Sequence, residues 1–116
     1  MESRVEEMIA MAYRHKNAAR YLMVKGSCDY IADRGGIRAT IESPSVPALE
    51  PIGGTGDTVT GIASALIDYG IEIPVAAEMA ARINRIAGHL AMPTPATQVT
   101  AVIACIGRAV AEVIQL

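Results

Sequence analysis

Between residues 43 and 56 the chain places three prolines and then three glycines. Pro44, Pro47 and Pro51 lack the backbone N–H that a helix or sheet interior needs, and Gly53, Gly54 and Gly56 lose the most backbone freedom on ordering. No regular element tolerates that density of both, so residues 43–52 are expected as an extended connection. The stretch cuts the chain into two parts, and the hydrophobic periodicity differs between them.

Ahead of it the pattern is mostly β. Val5, Met8, Ile9 and Ala12 repeat at helical spacing and predict a helix over residues 2–17, with Ser3 able to cap its start. Tyr21 to Lys25 is a short apolar run ended by Gly26, expected as a strand buried on both faces. Residues 28–33 form a second strand. Asp33-Arg34-Gly35-Gly36 is turn chemistry, and Ile37, Ala39 and Ile41 then alternate with Arg38, Thr40 and Glu42. A β-hairpin over residues 28–42 follows, and a small sheet over residues 20–42.

Behind the break the pattern is helical. Val59, Ile62, Ala63, Leu66 and Ile67 line one face of a helix over 57–69 that Gly70 stops. Met79, Ile83, Ile86 and Leu90 do the same for a helix over 74–91 opened by Pro74. Thr94-Pro95 reads as N-cap and first turn of a helix over 95–115. The order of helix, three strands and three helices predicts an α/β fold. At 116 residues and 52% hydrophobic content, one domain spanning residues 1–116 is expected. There is no Trp or Phe, so small aliphatic side chains must fill the core, Met8, Met11, Met79 and Met92 among them.

Three glycines before a helix also have a chemical reading. A helix start exposes unpaired N–H groups with partial positive charge, and glycine lets a ligand approach the backbone. Gly53, Gly54, Thr55 and Gly56 therefore suit phosphate, with Asp57 at the mouth as helix cap or proton carrier. Lys25 at the strand end is either a phosphate partner or a solvated lysine. Arg82, Asn84, Arg85 and His89 fall on the polar side of their helix, either as a solvated face or as part of a site. Glu50 is expected exposed. The two histidines, His15 and His89, have no Cys or carboxylate near at ligand spacing, so no metal site is expected. Cys28 and Cys105 sit in apolar settings and are expected as buried thiols. Net charge is −2 without a basic stripe, which argues against nucleic acid as a partner. Charged residues over Met1–Glu7 and the lack of an apolar run of roughly 18 residues argue against a leader and a membrane span, so a cytoplasmic protein is expected.

The stretch Gly-Gly-Thr-Gly-Asp-Thr-Val-Thr-Gly-Ile-Ala-Ser-Ala-Leu, residues 53–66, resembles the C-terminal signature of the ribokinase-like (carbohydrate kinase) superfamily. Within that superfamily the resemblance is to ADP- or ATP-dependent NAD(P)H-hydrate dehydratases. Tyr21-Leu-Met-Val-Lys25-Gly26 is similar to the family's strand ending in Lys-Gly. Asp29 to Gly36 is similar to the hairpin after it, and Ala76-Ala77 with Asn84 to Gly88 to the helix after the signature. Together these pieces cover residues 4–92. The resemblance implies a truncated ribokinase-like fold, the C-terminal, nucleotide-binding half without the N-terminal half that supplies most of the substrate pocket. It implies ATP or ADP as the nucleotide, usually with Mg²⁺. Gly54, Thr55 and Gly56 would form the anion hole, Asp57 the catalytic acid/base, and Lys25 and Gly26 would lie near the nucleotide. The helix around Arg82 to Ile86, Asn84 included, would pass beside the adenine.

Two function classes follow. One is an enzyme, a dehydratase (lyase) or small-molecule kinase (phosphotransferase), completed by self-association or by a second chain. The other is a non-catalytic nucleotide-binding or structural module that acts with a partner chain. A homo-oligomer or a partner supplying the missing half is expected in either case. Val99, Val102, Ile103, Ile106, Val110, Val113 and Ile114 make a wide apolar stripe, and leaving it wet would cost on the order of 10 kcal/mol.

Overall fold

The computed structural model describes residues 2–114. Its elements, in chain order, are α1 (Glu2–Ala12), β1 (Leu22–Val24), β2 (Asp29–Asp33), β3 (Gly36–Ile41), a 3-10 turn (Pro47–Leu49), α2 (Thr55–Tyr69), α3 (Ile73–Leu90), α4 (Val99–Ile103) and α5 (Ile106–Ile114). The expected α/β architecture is present as a three-stranded antiparallel sheet in the order β1-β2-β3, packed with helices.

The sheet buries both faces, and β2 shows why. Tyr30 and Ala32 point to one face and pack with Val5 and Ile9 of α1. Ile31 points to the other face and packs with Ala81 of α3. The β2–β3 register slips: Ile31 and Ala32 of β2 pair with Ala39 and Ile37 of β3 and leave Arg38 unmatched. One extra residue reverses the alternation. Ile37 therefore joins the α1 face, while Ala39 and Ile41 join the α3 face, although all three share one parity in the sequence.

α3 is the hub. It touches β2, β3, α2, α4 and α5. Such crowding requires small side chains, and α3 buries Ala76, Ala80, Ala81, Ala87 and Gly88 along with Ile83. Gly88 marks the closest approach. A Cβ there would lie 2.3 Å from Leu49 Cδ1, so the connecting segment drops Leu49 into a notch that only glycine leaves open. The Ser43–Pro44 peptide in that segment is cis.

Several expectations are corrected. α1 ends at Ala12 rather than residue 17; residues 13–17 are turns, and the Arg34 guanidinium donates to the Tyr13, His15 and Lys16 carbonyls there. β1 is half-buried, not buried on both faces. α2 begins at Thr55, two residues early. The helix expected over 95–115 is two helices. Thr94–Thr97 forms a turn closed by the Thr97 hydroxyl, Gln98 is the N-cap of α4, and the Cys105 N–H bonds three residues back to Val102 where the helix is interrupted. Gln115 lies outside the described residues. Of the stripe, Val102 is buried and Val99, Ile106, Val110 and Val113 pack against the α3 core, leaving Ile103 and Ile114 exposed. Both cysteines are half-buried and free. Met8, Met11 and Met92 are exposed rather than core.

Candidate functional site

A cavity of about 460 Å³ opens where the β1–β2 turn, the connecting segment, the start of α2 and the middle of α3 meet. Lys25, Gly26, Ser27 and Asp29 line it from the turn. Ser45, Val46, Pro47, Leu49 and Glu50 line it from the segment, Thr55 from α2, and Asn84 and Arg85 from α3. Four of the residues singled out from the sequence, Lys25, Gly26, Thr55 and Asn84, therefore share one cleft although they lie up to 59 positions apart. Gly53, Gly54, Gly56 and Asp57 are not in its lining. They sit at the adjoining helix start, with Asp57 exposed in the first turn of α2.

The glycine run has a local cause. Gly54 is the N-cap of α2 with φ 94°, a left-handed value that favours glycine, and the helix carries no side-chain cap. A Cβ on Gly54 would meet Val99 Cγ1 at 3.3 Å, so this glycine also lets α4 approach. The first N–H groups of α2, like those of any helix, have no intrahelical partner, and no side chain at the N-cap takes their place. The Thr55 hydroxyl donates back to the Ile52 carbonyl at 3.2 Å. The Thr58 hydroxyl lies 2.7 Å from the Thr55 carbonyl oxygen and 2.7 Å from the Asn84 side-chain oxygen, which ties α3 to the first turn of α2. Asn84 is buried, and its amide contributes to the cleft wall.

Beneath the cleft lies a buried ion pair. Arg85 Nε donates to Asp29 Oδ2 at 2.9 Å, with the side chains 8% and 1% exposed. The rest of the guanidinium donates to the carbonyls of Pro44 at 3.2 Å, Gly26 at 3.2 Å and Ser27 at 2.9 Å. One side chain thus holds three segments of the cleft wall together. Asp29 Oδ1 accepts from the Gly26 N–H at 3.3 Å and stands 4.0 Å from Lys25 Nζ. By sequence spacing Arg85 and Asn84 fall on the polar side of their helix with Arg82 and His89. Only those two are exposed; Asn84 and Arg85 are buried. Asp29 was missed altogether. An acid at the head of an otherwise apolar strand, Asp-Tyr-Ile-Ala, was the available signal.

Glu50 is exposed, as expected, and also lines the cleft. It is the one carboxylate among the cleft-lining residues outside the ion pair. Among the described residues no three of His, Cys, Asp and Glu cluster as a metal site. Among those residues, too, no helix is long and apolar enough to cross a membrane.

No protein-family model matches the chain. No solved structure matches it. Curated proteins do. An uncharacterized protein of Methanocaldococcus jannaschii is 37% identical over 108 residues, covering 93% of this chain and 46% of the relative. A bifunctional NAD(P)H-hydrate repair enzyme of Hyperthermus butylicus is 39% identical over 80 residues, covering 69% of this chain and 14% of the enzyme. An enzyme of the same description from Pyrobaculum aerophilum is 35% identical over 68 residues, covering 59% of this chain and 13% of the enzyme. The chain spans just under half the length of the first relative and a small fraction of the other two. It is therefore related to part of the NAD(P)H-hydrate repair enzymes.

Proposed function

We propose that this chain holds the phosphates of a purine nucleotide, ATP or ADP, in the cleft beside the start of α2. The observation that carries the reading is the convergence of Lys25, Gly26, Thr55 and Asn84 on one cavity. An ammonium, a hydroxyl and an adjoining uncapped helix start supply the donors that a phosphate chain needs. Ser27 and Ser45 add hydroxyls to the same wall. Partial similarity to NAD(P)H-hydrate repair enzymes supports the same reading at the level of the family.

In an assembly that also holds a substrate, Asp57 is the acid/base. It stands exposed in the first turn of α2, and a hydroxyl that receives a phosphoryl group must lose its proton to a base. Mg²⁺ would be carried on the nucleotide and neutralise phosphate charge, with Glu50 the lining carboxylate free to hold it. The substrate side comes from a second copy or a partner chain in the cytoplasm. Exposed Ile67, Tyr69, Ile73 and Val75 around the α2–α3 corner offer apolar surface for such an assembly. The reading extends to a dehydratase (lyase) or a small-molecule kinase (transferase).

A second reading, a non-catalytic nucleotide-binding or structural module, is favoured by one observation: Asp57 is outside the cleft lining. Calorimetric titration with ADP and ATP, with and without Mg²⁺, tests the first claim. Saturable binding supports it, and no heat at millimolar nucleotide overturns it. Turnover of NAD(P)H hydrate or of phosphoryl acceptors, in the presence of nucleotide, separates the enzyme from the module.

A further inference from the structure

We infer that Arg85 is a positioning residue that keeps the Lys25 ammonium available to an anion in the cleft by neutralising Asp29. The proposal rests on the nucleotide reading only for the identity of that anion.

Two cations compete for one buried carboxylate. Asp29 is 1% exposed, so its charge has little water around it and will recruit whatever cation can reach it. Arg85 wins by geometry. Its Nε lies 2.9 Å from Oδ2, and three backbone carbonyls, those of Pro44, Gly26 and Ser27, orient the guanidinium plane. Lys25 stands 4.0 Å from Oδ1, the outer edge of an ion pair, and its side chain is 36% exposed. Oδ1 is instead engaged by the Gly26 N–H at 3.3 Å. With the carboxylate charge already matched, Lys25 retains an uncommitted charge at the cleft wall. Lysine carries that charge on a flexible stem, so a small change in what Asp29 offers moves it.

Removing Arg85 should therefore act through Lys25. In Arg85→Gln, the unmatched Asp29 draws the ammonium in and takes it from the cleft. In Asp29→Asn/Arg85→Gln, no carboxylate remains to hold it, and Lys25 returns to the cleft. A wall that merely loosens predicts no such recovery, because the double variant lacks the guanidinium as well.

Amine acylation read by peptide mass spectrometry measures Lys25 directly. The chain has one other lysine, the exposed Lys16 on the α1–β1 connection, which serves as an internal reference. The expected result is that Arg85→Gln slows Lys25 relative to Lys16 by about threefold or more, the effect of one modest ion pair, and that the double variant restores the wild-type ratio. A folded Arg85→Gln protein with an unchanged ratio overturns the proposal. So does a double variant that stays slow. If Arg85→Gln does not fold, Asp29→Asn decides: a carboxylate already matched by Arg85 holds Lys25 weakly, so a change under about twofold supports the proposal and a rise of about threefold or more overturns it. ADP titrations of the same proteins should track Lys25, weaker in Arg85→Gln and recovered in the double variant. A wild-type chain that does not bind ADP, with the acylation pattern intact, refutes the nucleotide reading and leaves the role of Arg85 standing.

Discussion

Gly88→Ala is a conservative change on paper and a disruptive one in this fold. In an open helix it should stabilise by about 1 kcal/mol, the difference in helix propensity. Here the new Cβ would lie 2.3 Å from Leu49 Cδ1 and 2.7 Å from both Cδ2 and Cγ. Leu49 must give way, and it sits in the core cluster with Ile52, Ile83, Ala87, Val102 and Ala109. Overpacking of this kind costs about 1–3 kcal/mol, so the net effect is a loss of about 0–2 kcal/mol. A second background isolates the cause. Leu49→Ala alone costs about 2–5 kcal/mol, but it empties the notch, and Gly88→Ala added to it should then stabilise by about 1 kcal/mol. Urea unfolding followed by circular dichroism at 222 nm gives all four free energies. The prediction is a coupling of about 1–3 kcal/mol, with Gly88→Ala costing stability beside Leu49 and adding it beside Ala. The same small gain in both backgrounds would refute the notch. Because Leu49 carries part of the cleft wall, Gly88→Ala should also weaken ADP binding, and the double variant should not recover it.

Three further outcomes are expected. Gly54→Ala should lose stability by about 1–2 kcal/mol, from its left-handed φ, whereas Gly53→Ala, whose Cβ meets nothing within 4 Å, should change urea midpoints little. Equal losses at the two positions would refute the capping role of Gly54. Asp57→Asn should leave unfolding and ADP affinity near wild type and abolish turnover in any complete assembly; retained activity removes Asp57 from the chemistry. Asp33 should titrate below an ordinary aspartate, because the Arg38 guanidinium donates to it at 2.8 Å and the Gly35 N–H also donates at 2.8 Å. A depressed folded value means that its contribution is present above the unfolded value of about 3.9 and is lost as pH falls through the folded one. The turn at residues 33–36 should thus loosen only in acid. Arg38→Gln should move the Asp33 titration, followed by carboxyl NMR, upward toward the ordinary value, and an unmoved titration would sink the assignment.

Patterns of apolar residues were enough to locate α1, the hairpin, α2 and α3, because each buries a face whose period shows in the sequence. What they missed depends on contacts between distant segments. The alternation Ile37, Ala39, Ile41 predicts one face, and the unmatched Arg38 sends Ile37 to the other. The stripe from Val99 to Ile114 runs on at helical spacing through the interruption after Ile103, so periodicity could not show it. In the site, Lys25 and Thr55 were legible as residue types that suit an anion, whereas Gly26 and Asn84 entered only through the resemblance. The pairing of Asp29 with Arg85 was not legible, since 56 positions separate them and a lone acid on a strand has no partner in the sequence. Gly88 was legible only as part of a resemblance; its reason is the side chain of Leu49.

The proposed nucleotide site lies where the β1–β2 turn, the start of α2 and the middle of α3 meet. Backbone amide NMR during an ADP titration tests it most directly. Saturable shifts should be confined to three separate stretches, residues 25–27, 53–58 and 84–85, with inorganic pyrophosphate moving the first two. Shifts that never saturate at millimolar ADP would contradict it. So would saturable shifts that fall on the arginine-rich surface formed by Arg20, Arg34 and Arg38 and leave those three stretches unmoved.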